Sequence, residues 1–433
     1  MSERIKLGIT RNRLFEFDNA VLFCCRLTEP FDEGELEKAL KMLCAKEPLV
    51  TSVVELQDDS QAFVVTESVE QKLNKTPLTQ KAVFDYYEKN GIDFSKKLFE
   101  FTLASDNYLV VAGHTVVCDA KALLRLGAEL SAFYNKKTVS VEPSTVNLFS
   151  DMRELPLEVA SPITDKLSAE LDSKWVKDQQ VFSFEDYIKA RGNYMQSKSE
   201  CSELIWVIDE KTITDLQNYS AENGVDVSSL VAFSFYESLV QNVGGNKKYN
   251  KMNVYTDQRI FFENFEDYGV GAYNGVVTGS LSKKDTMKSV YERAKQFHLS
   301  CYKGITSPFM TFYDESLLMK VSPSLCDCSY MYKGGLVKNK TAKKLAENYG
   351  CACEKICDFF TCNLDQMFWG DLNDFSDVDV CEPLKMRSST YLGFLRRKGK
   401  GYVTLRYKKD KISPEQAERI LALAKDITGN FTS

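Results

Sequence analysis

The chain has 433 residues, about twice a typical domain, so two lobes are the first expectation. Hydrophobic residues at 44% and aromatics at 12% supply buried cores and exclude a disordered chain. The 55 Lys and Arg against 61 Asp and Glu, a net charge of -6, give no support to a nucleic-acid partner.

No run of eighteen apolar residues occurs, and the start Met-Ser-Glu-Arg-Ile-Lys lacks an apolar signal core. A cytoplasmic protein without a membrane span is the expectation. The thirteen cysteines are then expected to be reduced. Cys24, Cys25, Cys44 and Cys118 lie among apolar neighbours and read as small core residues. Cys351, Cys353, Cys357 and Cys362, with Cys326 and Cys328 upstream, show spacings that match no common zinc site, so no metal is expected.

The first strand spans residues 19–27 and turns at Glu29-Pro30 into a helix over 32–46, with Leu36, Leu40 and Leu43 on one face. Strands are read at 49–56, 61–66 and 98–104. Ser105-Asp106-Asn107 then makes a hairpin turn into an apolar strand that delivers His114, one of two histidines, to a short connection ending in Asp119. Beyond it Leu123, Leu126, Leu130 and Phe133 recur at helical spacing up to Tyr134, and Asp119 stands where a carboxylate would cap the helix. Residues 1–165 make the first lobe in this reading.

Periodicity weakens between residues 140 and 196, and residues 166–200 read as a crossing between lobes. The second lobe, 201–433, opens with a strand at 202–209, a helix from about 212 and another over 225–239. A strand at 251–255 leads into Thr256-Asp-Gln-Arg259. The glycines between Tyr268 and Gly279 permit a close approach of ligand or backbone, and no G-K-S/T follows to make a phosphate loop. A helix over 284–301 carries His298, read as an ordinary histidine. Strands at 358–364 and 401–407 precede a final helix started by Ser413, Pro414 and Glu415.

The run His114-Thr-Val-Val-Cys-Asp119-Ala120 resembles the H-H-x-x-x-D-G signature of condensation domains of nonribosomal peptide synthetases and of related CoA-dependent acyltransferases. His114 matches the first histidine and Asp119 the aspartate. Thr115 falls on the second histidine, and Ala120 on the glycine. Lys46-Glu-Pro-Leu and the lead-in at 91–103 are similar to further segments of that family, as are Arg259, Gly271 and Asn274 of a G-x-x-x-N segment, and Asn363-Leu364 of an S-N-L-G strand end, where Asp365 replaces the glycine. The likeness runs from about residue 15 to 428.

The resemblance implies an α/β (α+β) fold of two chloramphenicol-acetyltransferase-like lobes in a V, each a mixed sheet flanked by helices. Between them a tunnel lined by Gly271, Asn274 and Asn363 would admit an acyl thioester, on CoA or on the phosphopantetheine of a carrier protein, and an amine or alcohol acceptor. No permanently bound cofactor is implied. An Asp119–Arg259 ion pair would join the lobes. The catalytic position falls on His114 and Thr115. A threonine hydroxyl lacks the basicity of an imidazole, and His114 matches a residue that is generally structural. No serine or cysteine triad is evident. Two readings follow: a stand-alone acyltransferase that relies on proximity and on Asn274, or a non-catalytic relative that binds an acyl carrier or recruits a partner enzyme.

Overall fold

The computed structural model describes residues 4–56, 62–65, 69–137, 140–156, 159, 161–177, 180–243, 250–265, 268–349, 355–367 and 371–432. Two mixed sheets carry the chain. The first has five strands in the order Asp377–Cys381, Ala20–Arg26, Leu109–His114, Phe99–Leu103 and Leu73–Lys75. The second has six, in the order Asn274–Gly279, Met252–Asp257, Cys357–Asn363, Thr390–Arg397, Lys400–Lys408 and Cys201–Ile208. A small sheet of Arg4–Lys6, Ala62–Val65 and Val53–Leu56 completes the set.

The strands of the first sheet alternate between two helical layers. Ala20, Leu22, Cys24, Val110 and Ala112 pack with Val83, Phe84 and Tyr87 of the helix Gln80–Asn90. Val21, Phe23, Cys25 and Val111 belong to the larger core that includes Leu123, Leu126 and Leu130 of the helix Ala120–Tyr134. That period-2 switch of faces is why the strand Ala20–Arg26 is apolar and buried in every residue before Arg26. Gly127 lets the helix lie against the sheet: a Cβ there would come within 2.4 Å of the Phe23 ring.

The chain returns to the first sheet late. Asp377–Cys381, from beyond residue 200, pairs antiparallel with Ala20–Arg26. Residues 166–200, expected as a crossing, hold most of one 14-residue helix and all of another, Pro162–Trp175 and Phe184–Ser197. Their apolar sides join the first lobe's core to Leu317 and Leu325, and the same core reaches Tyr255, Phe360 and Tyr391 of the second sheet. The two lobes therefore share buried surface.

Two element readings are corrected. Residues 48–51 form a 3-10 turn, and only Val53–Leu56 is strand. Pro48 lacks an N–H, and the Thr51 and Ser52 hydroxyls both donate to its carbonyl, which favours a turn over a ladder. The helix expected over 284–301 begins only at Val290, where Ser289 and Glu292 form a capping box. No helix among the described residues is long and apolar enough to cross a membrane. Cys351 and Cys353 lie outside the described residues, while Cys326, Cys328 and Cys357 are buried free thiols.

Candidate functional site

The strand Leu109–His114 ends in a tight connection, with Val117 N–H bonded to the His114 carbonyl at 3.1 Å and Thr115 N–H to the Asn19 carbonyl at 2.9 Å. Asp119 follows and is fully buried. Its Oδ1 accepts Ala122 N–H at 2.7 Å, capping the helix, and also Arg259 Nη2 at 3.1 Å. Its Oδ2 accepts Arg259 Nη1 at 3.0 Å and Tyr273 N–H at 2.8 Å. Cap and ion pair thus coexist on one carboxylate, in a two-pronged pairing that only a guanidinium offers.

Arg259 sits in the turn after the strand Met252–Asp257 of the second sheet. It also donates to the Gly271 carbonyl at 2.8 Å and to Asp257 Oδ1 at 3.1 Å, and its guanidinium lies 4.9 Å from the Tyr273 ring centre. Burial opposes its charge, yet Asp119 and Asp257 hold the guanidinium protonated above its ordinary value. Gly271 is required here: a Cβ would meet the Tyr273 ring at 2.3 Å.

His114 is sealed. It is fully buried, edge-on to Phe94, with Val116 N–H at 3.1 Å from Nδ1 and the Asn19 amide nitrogen at 2.9 Å from Nε2. The bonds of Asn19 to Ile92 N–H and carbonyl fix that amide's orientation. With Nδ1 accepting from Val116 N–H, the neutral ring keeps its own N–H at Nε2, and a second proton, placed on Nδ1, would face the Val116 N–H. Burial, then the charge of Arg191, pushes its pKa down to about 3. Thr115 is 1% exposed, and its hydroxyl has no hydrogen-bond partner among the described residues.

Asn274 opens the strand Asn274–Gly279 and gathers residues from distant parts of the chain. Its side-chain oxygen accepts from Arg13, whose Nη2 also donates to the Asn274 carbonyl at 2.7 Å and to Glu315 Oε1 at 3.1 Å. Its amide donates to Glu382 Oε1 at 3.3 Å, and the same oxygen accepts Ala120 N–H at 2.8 Å. Burial pushes the Glu382 carboxyl up to about 7, against the pull of Lys385 and with the help of Asp119. Beside this cluster lies a cavity lined by Arg13, Asn274, Tyr255, Glu315 and Arg387 among others. Neither His114 nor Thr115 lines it.

Asn363 stands apart. It ends the strand Cys357–Asn363, but its side chain accepts Asp365 N–H at 3.3 Å and donates to Gln366 Oε1 at 2.7 Å, capping its own turn. A second bridge between lobes lies at Glu47, whose carboxylate accepts Val270 N–H at 2.8 Å, the Ser144 hydroxyl at 2.7 Å and Arg125 at 3.4 Å. Burial and Glu129 push the Glu47 carboxyl up to about 7.

Sequence reading missed Arg13, Glu315, Glu382 and Arg387. Each is a charged residue without a local motif, and they come together from three distant parts of the chain, Arg13, Glu315 and the stretch that holds Glu382 and Arg387. The one available signal was the charge pair Arg11-Asn-Arg13 set directly before the apolar run Leu14-Phe15, a place where a long side chain has to find a buried partner.

Two mixed sheets flanked by helices give the chain the fold of condensation domains and of a trichothecene acetyltransferase. Among solved structures the chain is similar to a trichothecene 15-O-acetyltransferase from Fusarium sporotrichioides, at TM-score 0.65 and 11% identity over 99% of this chain and 95% of that one. It is also similar to the epimerization domain from the third module of tyrocidine synthetase B (TM-score 0.62, 11% identity, 100% and 96% covered) and to the condensation domain of the Monacolin K polyketide synthase (TM-score 0.60, 12% identity, 99% and 97% covered). The sequence matches no protein-family model and no curated protein.

Proposed function

We propose that the protein is an acyltransferase that moves an acyl group from a CoA or carrier-protein thioester to an amine or alcohol held between the lobes. The acceptor's nitrogen or oxygen bonds to the thioester carbonyl carbon, the carbon–sulfur bond breaks, and the acceptor's proton ends on the departing thiolate. The observation that carries this reading is the Asp119–Arg259 clamp, which fixes the start of the helix after the His114 strand against the Gly271–Asn274 segment, beside a polar cavity. Neither His114, sealed on both ring nitrogens, nor the Thr115 hydroxyl supplies a strong base. Rate enhancement then comes from holding a reactive thioester next to its acceptor and from hydrogen bonds of groups such as Asn274. A carrier protein is the partner that a thioester arm would bring.

The sealed His114 and the buried Thr115 hydroxyl, without a hydrogen-bond partner among the described residues, favour a second reading, a protein that binds an acyl carrier or recruits an enzyme without turnover. Free thiol release from acyl-CoAs and acyl-carrier proteins, with amine and alcohol pools, separates the two. Acceptor-dependent release by the natural protein supports transfer. Release seen only in Thr115→His supports the binding role and overturns the first reading.

A further inference from the structure

The cavity beside Asn274 contains more unpaired polar atoms than a packed interior tolerates. The Tyr255 hydroxyl and Glu315 Oε2 are buried without a hydrogen-bond partner among the described residues, on residues each 8% exposed. Asn12 Nδ2 and Arg387 Nε are likewise unpartnered. Arg387 Nε lies 4.0 Å from Asp358 Oδ1, whose own bond goes to Asn253 at 2.6 Å. All four of these unpartnered groups line the one cavity. An orphaned buried polar atom costs about 1–3 kcal/mol, so four around one space call for a resident that satisfies them.

Their chemistry is divided. Arg387 Nε–H and Asn12 Nδ2 are donors, the Tyr255 hydroxyl can donate, and Glu315 Oε2 is an acceptor beside the half-buried Asp314 carboxylate. Three basic and four acidic side chains line the space. One of the acids, Asp18, is paired with Lys198 at 2.6 Å, and Glu16 with Lys385 at 3.2 Å, so the wall has no net excess of either charge. That balance disfavours a polyphosphate and favours a ligand carrying one charge of each sign. The space open to the centres of water-sized groups is about 80 Å³, enough for about five to eight such groups at 10–15 Å³ each. It adjoins a second cavity of about 260 Å³, with which it shares Val276, Asp314 and Arg387.

We propose that the cavity binds a small zwitterion of the α-amino acid class, its carboxylate on Arg387 Nε–H and the Tyr255 hydroxyl and its ammonium on Glu315 Oε2 and Asp314. The side chain of the ligand extends through the shared wall toward the larger cavity. The role of this ligand as acyl acceptor rests on the acyltransfer reading; its binding does not.

The test is isothermal titration of the full chain with the free L-amino acids, one at a time, at up to about 10 mM, a range that registers even weak binding. The expected result is one-to-one binding of at least one of them. Its amide, lacking the carboxylate, and its N-acetyl form, lacking the ammonium, should bind at least about tenfold more weakly, as should Tyr255→Phe and Glu315→Gln with the free acid. Because the Tyr255 hydroxyl has no hydrogen-bond partner among the described residues, Tyr255→Phe should leave the melting temperature of the free protein unchanged or raised, which separates lost binding from lost folding. The proposal is overturned if no amino acid binds, if the amide or N-acetyl form binds as well as the parent, or if both variants bind like the natural protein. Binding without any thiol release would leave the site standing and sink the acyltransfer reading. Thiol release with an alcohol and no amino-acid binding would do the reverse.

Discussion

Replacing Glu382 by Gln should make the protein more stable in mild alkali while leaving it nearly unchanged at pH 4. The side chain keeps an oxygen for Ala120 N–H, so the helix start remains bonded, and only the titration is removed. In the fold, burial first and then Asp119 raise this carboxyl from the ordinary 4.5 to about 7. Between those two values the folded protein holds a proton that the unfolded chain has lost, so its stability falls as the pH rises through that window. At 1.36 kcal/mol per pH unit the loss is about 3 kcal/mol, complete above pH 7. Unfolding entropy of about 2.1 cal/mol/K per residue, summed over 433 residues, converts this to about 3 °C. Melting curves of both proteins at pH 4 and pH 8 should therefore coincide at the first pH and separate at the second, with the variant higher by about 3 °C. Parallel curves at both values would refute the claim that Glu382 is desolvated beside the Asp119 cluster.

Arg259→Met leaves the Asp119 carboxylate buried against Ala122 and Tyr273 N–H alone, and denaturant midpoints should show a loss of about 3–5 kcal/mol. The double variant Asp119→Asn with Arg259→Met should cost less than the sum of the two single changes, since each already removes the other's partner. With two histidines in the chain, imidazole nitrogen resonances are readily assigned. One ring, that of His114, should stay neutral as the pH falls toward about 3, whereas two rings titrating above pH 5 would contradict the sealed geometry. The sign of that shift makes His114 a source of acid lability, with stability lost as the pH drops below its ordinary 6.5.

What could be read from the amino acids was local. The strand Ala20–Arg26, the helix capped by Asp32, the hairpin turning at Asn107 and the helix capped by Asp119 each announce themselves through periodicity and capping chemistry within a few residues. Asn107 takes a positive φ of 62°, a conformation its side chain tolerates in a turn. The strand Asp377–Cys381 was not legible: five residues with two carboxylates acquire meaning only against a partner strand some 350 positions earlier. The site divides the same way. Asp119 and Arg259 lie 140 residues apart, and only family resemblance linked them, since neither residue's neighbours carry that information. Arg13, Glu315, Glu382 and Arg387 form a cluster through tertiary packing alone, and a lone charged residue in a sequence reads by default as a solvated one.

The transfer reading and the carrier-binding form of the second reading both require that an acyl thioester arm enter between the lobes, and hydrogen exchange with a stable acyl-pantetheine thioether tests this without needing turnover. Binding there should slow exchange of the amides at Tyr273 and in the strand Asn274–Gly279, and of those in the Arg11–Arg13 turn, with the Cys201–Ile208 strand at the far edge of the second sheet unaffected. No protection anywhere, or protection confined to surfaces remote from Asn274, would contradict the assignment of this junction as an acyl-binding site.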